Sequence, residues 1–524
     1  MSPARRLGPD DLVLAILPAM VLLRLTGFVA PHEDPRSAVL IAAGAVLLVA
    51  RARSRRLRSG SAAFWLVLAL MIWGAGGLLL TTSPARGGTR LALLTAAALV
   101  AASSRTGVGA RRWIDGLHRL SVAAGVSVAA LFWWHAVFSF SRPEYPVWLF
   151  FSPIGHVSPT SDVLAIWLPL LAWSTVDGKQ PPVLRVGAGV ALAGLGGALL
   201  LGASRAALAG VVLAVVTAAV LGRPLRWRPV ALLAAAAAGA VGAWAAAPLP
   251  LRPLSRVVAD FGREPERAGG WLGPRAPLYA ATLDVVRAAP VLGHGPGSFP
   301  DVYPSRARRE PGTGDPLAAP GLFAADPHNA LLEQAVEGGV ASAVALAAVL
   351  ALVIAGAWRR ARRQAEALRI AAAAALTAAL PGLAFSHTLH APSSLFFFAL
   401  AAGLGGAGSR EEEQRPSARP APGWWTAAAV ALAAALAFWP ARHLAAHWEL
   451  GHGLARLRPA PRQARHRLER ALSLDPRCFR AALALVRLDL ADGDRDGAVT
   501  RLRAVLVYHP DPALDRLLRD APPG

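Results

Sequence analysis

Two groups of residues have types and spacing that suit chemistry. The first lies in residues 290–340. His328 is a titratable imidazole, and Asn329, Glu333 and Glu337 follow it at intervals of four, on one face of any helix. Asp326-Pro327 is a helix-opening pair, with Asp suited to the N-cap and Pro to the first helical position. That reading places His328 and Asn329 in the first turn, at the positive end of the helix dipole. An imidazole kept neutral there can accept a proton, as a general base must. Asn329, Glu333 and Glu337 would orient it or a substrate; the alternative is that they line the wet end of a helix. Upstream, Gly293, Gly295 and Gly297 alternate, which predicts a mobile backbone capable of close approach. The second group is Gly202-Ala203-Ser204-Arg205 between two apolar runs. Ser204 can cap the helix that follows. Arg205 has the planar fork suited to bidentate phosphate binding, or else snorkels at an interface.

Other polar residues say less. His387 and His390 have a spacing compatible with a metal, but no Cys or nearby acid completes a site. His294 lies within reach of the glycine loop, and His135 beside Trp133 and Trp134 reads as packing. There is no phosphate-binding P-loop and no dinucleotide fingerprint. No cofactor is therefore expected from these motifs.

The elements that must position these residues are membrane spans. The chain has 524 residues, 55% hydrophobic and 16% charged, with mean hydropathy +0.43. Apolar runs near 11–28, 37–50, 62–80, 90–103, 121–139, 161–176, 184–201, 206–221, 229–248, 329–357, 368–386, 392–408 and 424–440 predict an all-α polytopic protein of about 12–13 transmembrane helices. With the N-terminus inside, the inner loops hold 22 Arg or Lys and the short outer loops 5, the bias expected of cytoplasmic loops. The net charge of +22 thus points to membrane topology rather than nucleic acid. This orientation puts 249–328 and everything after 440 outside. The single cysteine, Cys478, excludes an intramolecular disulfide. The run 11–28 reads as a first spanning helix and not a cleaved signal. Within the long outer loop, 275–289 predicts a helix with Leu278, Thr282, Val285 and Val286 on one side.

The C-terminal region is amphipathic and Arg-rich. Ala464/Ala498, Leu468/Leu502, Leu472/Leu506 and Pro476/Pro510 recur at 34 residues, the period of tetratricopeptide helix pairs. Two such units are few for a free-standing solenoid, so the region is expected to pack on the membrane domain or a partner, and to be separable from the chemistry. The expected domains are 1–248, N-terminal spans; 249–328, an extracytoplasmic catalytic loop; 329–440, C-terminal spans; and 441–524, the repeats.

Gly-x-Gly-x-Gly-x-Phe from Gly293 to Phe299, then Pro327-His328-Asn329 and Glu337-Gly338, resembles the signature of the O-antigen ligase and polymerase superfamily. The Ser204-Arg205 dipeptide before a small-residue helix is similar too. The resemblance implies a GT-C-like, metal-independent inverting glycosyltransferase of the bacterial inner membrane. Such an enzyme moves a glycan from undecaprenyl pyrophosphate to an acceptor hydroxyl on lipid A core, a protein or another glycan, at the outer face. It implies pyrophosphate contacts for Arg205 and for Arg275, which stands where these ligases carry a second functional Arg. Pro159-Thr160-Ser161-Asp162, after Gly155-His156, departs from the family's Asn-containing turn. A repeat-unit polymerase would use the same residues. A lipid-linked glycan transporter would instead need charged groups deep in the spans, which are nearly bare of them. The repeats suggest a protein partner.

Overall fold

The computed structural model describes residues 10–28, 30, 33–54, 62–107, 111–140, 157–202, 204–222, 275–306, 326–386, 388–406 and 424–520. The helices are α1 (Asp11–Leu22), α2 (Glu33–Ser54), α3 (Ala62–Gly77), α4 (Pro84–Gly107), α5 (Arg111–Phe140), α6 (Val157–Val176), α7 (Pro182–Gly202) and α8 (Arg205–Leu221). Then come α9 (Arg275–Ala288), the single turn α10 (Phe299–Val302), α11 (Ala330–Gln364), α12 (Ala367–Phe385), α13 (Pro392–Gly406) and α14 (Trp424–Arg456). The last four are α15 (Pro461–Leu474), α16 (Phe479–Ala491), α17 (Arg495–Tyr508) and α18 (Pro512–Asp520).

This is a multi-pass, all-helical membrane protein. Among the described residues, 7 helices are long and apolar enough to cross a membrane, and α1, the Trp65–Gly77 part of α3, α8 and α13 are shorter apolar helices. Every expected span falls on a helix except 229–248, which lies outside the described residues. The bundle is centred on α12, α13 and α6. Ala371–Ala375 of α12 are all buried, and small residues let backbones close up. Gly210 of α8 lies so near the carbonyl of Ala378 that a methyl group there would clash. Apolar residues such as Val183, Val186 and Val190 of α7 and Val212 and Val216 of α8 face outward, as a surface solvated by lipid tails requires.

Connections from several helices meet at one end of the bundle. The buried Arg36 of α2 donates to the carbonyls of Val21 and Leu23 and to Ser393 Oγ, tying α1, α2 and α13 together. Asp34 meets His447 of α14 at 3.1 Å. At this end α14 runs unbroken past residue 441 and passes into the repeats. There Ala464, Leu468, Ala498 and Leu502 are buried as the 34-residue period demands. The repeats pack on the bundle: Arg477 donates to the carbonyl of Thr82 at 2.6 Å.

Candidate functional site

Helix α11 is broken near its start. Gly339 has φ 80°, ψ 171°, a conformation open to glycine and costly for other residues. The break frees backbone groups, and the glycine loop takes them up. His294 N–H donates to the Val336 carbonyl (2.8 Å), Gly295 N–H to the Glu337 carbonyl (2.9 Å), and Val340 N–H to the Pro290 carbonyl (2.8 Å). The Gly338 carbonyl accepts from Trp73 Nε1 at 2.9 Å. Gly297 N–H donates to Glu337 Oε1 at 2.8 Å. Gly293, Gly295 and Gly297 have φ of 69°, 88° and 71°. A Cβ added at these positions would run into the backbone of Glu337, Thr81 and Gly87 respectively.

The far side of the loop is held equally firmly. Thr81 Oγ1 donates to the Pro296 carbonyl (2.7 Å), and Arg86 to the Gly297 carbonyl (3.0 Å) and to Asp301 (3.1 Å). Where the sequence predicts a mobile loop, the structure shows one hydrogen-bonded on both sides, its glycines letting it wedge between α11 and residues 81–87.

His328 also differs from expectation. The helix starts at Ala330, and Asn329 is its N-cap, its Oδ1 accepting from the amides of Leu331 and Leu332 at 3.0 Å each. Asp326 does not cap the helix; its Oδ1 accepts the backbone N–H of His328 at 2.7 Å. His328 thus precedes the helix, with left-handed φ 54°, uncommon for a side chain of its size. Its Nδ1 lies 3.5 Å from Asp326 Oδ1, and about a third of the side chain is exposed. Sequence reasoning took Asp326 for a cap because both Asp and Asn suit that position; two amides converging on Asn329 decide between them.

The turn is braced from α9 and α12. Tyr279 Oη donates to the carbonyl of Ala384 at 3.2 Å and lies 3.5 Å from that of His328. Asn329 Nδ2 donates to the same Ala384 carbonyl at 3.0 Å. Burial pushes the Tyr279 phenol up, partly opposed by the charge of Arg275, one turn earlier on α9. Leu278, Val285 and Val286, three of the four positions expected on one face, pack with Phe299, Ala335 and Val336. Tyr279, His328 and Asn329 thus meet at the end of α12, with Arg275 one turn along α9 from Tyr279. Arg205 is exposed at the start of α8, where Ser204 Oγ accepts Ala207 N–H as expected. Helix α8 packs along α12, whose last turn carries Ala384.

One cluster was not foreseen. Glu333 Oε2 accepts from Arg90 Nη2 of α4 at 2.8 Å, and its Oε1 lies 3.2 Å from His390 Nδ1. Arg90 also donates to the Leu389 carbonyl at 2.9 Å. Burial alone would lower His390, but the hydrogen bond and charge of Glu333 outweigh it and raise it to about 9. His390, weighed from sequence as half of a metal pair, is engaged by a carboxylate; His387 lies outside the described residues. Asp162, from the turn that departs from the family pattern, accepts from Thr388 Oγ1 at 3.2 Å and helps fix the same connection. Three distant segments form this cluster, so no spacing reveals it.

Beside it opens an apolar cleft of about 200 Å³ between α3, α4, α11 and α13. Arg90, Gln334 and Glu337 stand at its polar end, and Trp73, Leu94, Leu350 and Phe398 are among its walls. From Arg90 to Ala101 it follows α4 for roughly 16 Å at 1.5 Å per residue.

Residues 190–347 match the O-antigen ligase family. That segment holds Arg205, Arg275, the glycine loop and His328, and leaves out Arg90 and His390. Residues 460–521 match a tetratricopeptide repeat, covering α15 to α18. No curated protein matches the chain. The O-antigen ligase segment supports a ligase-like glycosyltransferase in general terms, acting with a lipid-linked glycan donor and an acceptor.

Proposed function

We propose that this protein transfers a glycan from a polyprenyl-pyrophosphate donor, undecaprenyl pyrophosphate by resemblance, to an acceptor hydroxyl at the extracytoplasmic face of the inner membrane. The observation that carries this reading is the O-antigen ligase match over residues 190–347, which span Arg205, Arg275 and His328, in a chain whose bundle also holds an apolar cleft lined by Arg90, Gln334 and Glu337 among many apolar side chains. The cleft suits a prenyl chain, and Arg90 in its lining is joined through Glu333 to the helix that begins just after His328.

In the proposed step the acceptor oxygen attacks the anomeric carbon from the face opposite the pyrophosphate. The new C–O bond forms as the bond from that carbon to the phosphate oxygen breaks, inverting the centre. The acceptor proton passes to Nε2 of His328. The carboxylate of Asp326, on the Nδ1 side, stabilises the imidazolium that results. Arg205 and Arg275 receive the charge that develops on the departing pyrophosphate. Asn329, Glu333 and the glycines are supports: Asn329 fixes the helix start below His328, and Glu333 holds Arg90 and the 388–390 connection to α11.

Reconstitution in proteoliposomes with a defined undecaprenyl-pyrophosphate glycan and a panel of acceptors tests this. The expected outcome is a glycosylated acceptor and released undecaprenyl pyrophosphate in equal amounts. Donor consumed without any glycosidic product would overturn the transferase reading.

A further inference from the structure

The C-terminal repeats reach the same loop that closes the break in α11. His509, at the end of α17, is fully buried and stacks on Phe479 with ring centroids 4.1 Å apart and planes at 6°. Its Nδ1 lies 3.6 Å from Oδ1 of Asp301, which is also fully buried. The other oxygen of Asp301 accepts from Thr82 Oγ1 (2.7 Å) and from Arg86 (3.1 Å). Arg86 goes on to the Gly297 carbonyl, and Gly297 N–H to Glu337 in α11. At the rim, Arg477 donates to the carbonyls of Thr81 (3.2 Å) and Thr82 (2.6 Å), in the segment against which Gly295 packs.

A domain resting on a membrane bundle has no need to converge on one short connection. Here the contacts from the α15–α16 turn and from the end of α17 meet at 81–86 and Asp301, the cradle of the glycine loop. Burial would raise the Asp301 carboxyl, but Arg86, His509 and Thr82 hold it low. It is a buried carboxylate, and such groups are costly unless their partners stay in place.

We propose that His509 and Arg477 are positioning residues through which the repeat domain holds the glycine loop in register on the broken helix α11, so that whatever the repeats bind is felt at Glu337. The contacts carry this by themselves; only the statement that the loop serves catalysis rests on the transferase reading.

Hydrogen–deuterium exchange on the full chain in nanodiscs tests it without any substrate. In His509→Gln, amides of residues 293–297 and of Val340 should exchange roughly tenfold faster, the ratio expected for losing one close packing contact on a buried carboxylate. Arg477→Ala should do the same to a smaller extent, and Arg477→Lys, which keeps an N–H donor for the Thr82 carbonyl, should restore protection. Protection within α16 and within residues 342–360 should stay as in the wild type. Unchanged exchange at 293–297 in both variants would overturn the proposal. So would faster exchange spread evenly through the repeats and the loop, since that marks a loss of overall stability alone. Because the readout needs no glycan, it is independent of whether transfer itself is observed.

Discussion

At the scale of single residues, the account rests on the division of labour around His328. Asp326 accepts the His328 amide and faces its ring. Asp326→Asn keeps an oxygen for the amide and removes the negative charge. Transfer should fall about 10- to 100-fold, less than the loss expected for the base itself. A wild-type rate in steady-state assays would make Asp326 a turn-former only. Arg205→Lys keeps the charge and loses the fork. Transfer should drop at least about tenfold while membrane insertion, read by protease protection, stays normal. Full turnover would reduce Arg205 to an interfacial anchor. The cap at Ser204 was legible because a capping residue and the helix it opens are neighbours in sequence. Arg90 was not: its role depends on Glu333 and the 388–390 connection, hundreds of residues away.

At the scale of elements, the sequence made the helices plain and hid how they are broken and joined. Apolar runs set the spans, since each helix must satisfy its own backbone within lipid. The break at Gly339 was invisible, because Gly338-Gly339 in an apolar helix reads as close packing. What distinguishes them is the loop 290–297, which supplies the missing hydrogen bonds. Glycine alternation marks close approach, but not its partners, Glu337 and Gly87, which come from other helices. Gly339→Ala would force a side chain to φ 80° against the Val291 carbonyl. It should cost about 1–3 kcal/mol and lower the melting temperature in detergent. Gly76→Ala, where a methyl group meets nothing within 4 Å, should be neutral. Equal melting temperatures for wild type and Gly339→Ala would mean the break carries no strain.

At the scale of the whole molecule, the bundle, the 290–301 loop and the repeats come together at one end, where Asp301, Glu333 and Asp475 are buried. His390 is raised from 6.5 to about 9 by Glu333. Protonated His390 therefore stabilises the fold fully below pH 6.5, and this is lost as pH rises towards 9. The melting temperature of the wild type should fall over that window, and the fall should be shallower in His390→Gln. The Arg bias predicts an orientation that reporters can test: one fused after residue 365 should read cytoplasmic, and one near residue 310 extracytoplasmic. The most direct measurement of the central claim is single-turnover transfer across pH by wild type and His328→Ala, with bound undecaprenyl-pyrophosphate glycan and saturating acceptor. The account predicts a rate about 100- to 10,000-fold lower in the variant, near-normal donor binding, and loss of the acid limb that the wild type shows. A variant that no longer binds donor, with its residual rate keeping the wild-type pH dependence, would contradict it by making His328 a pyrophosphate ligand.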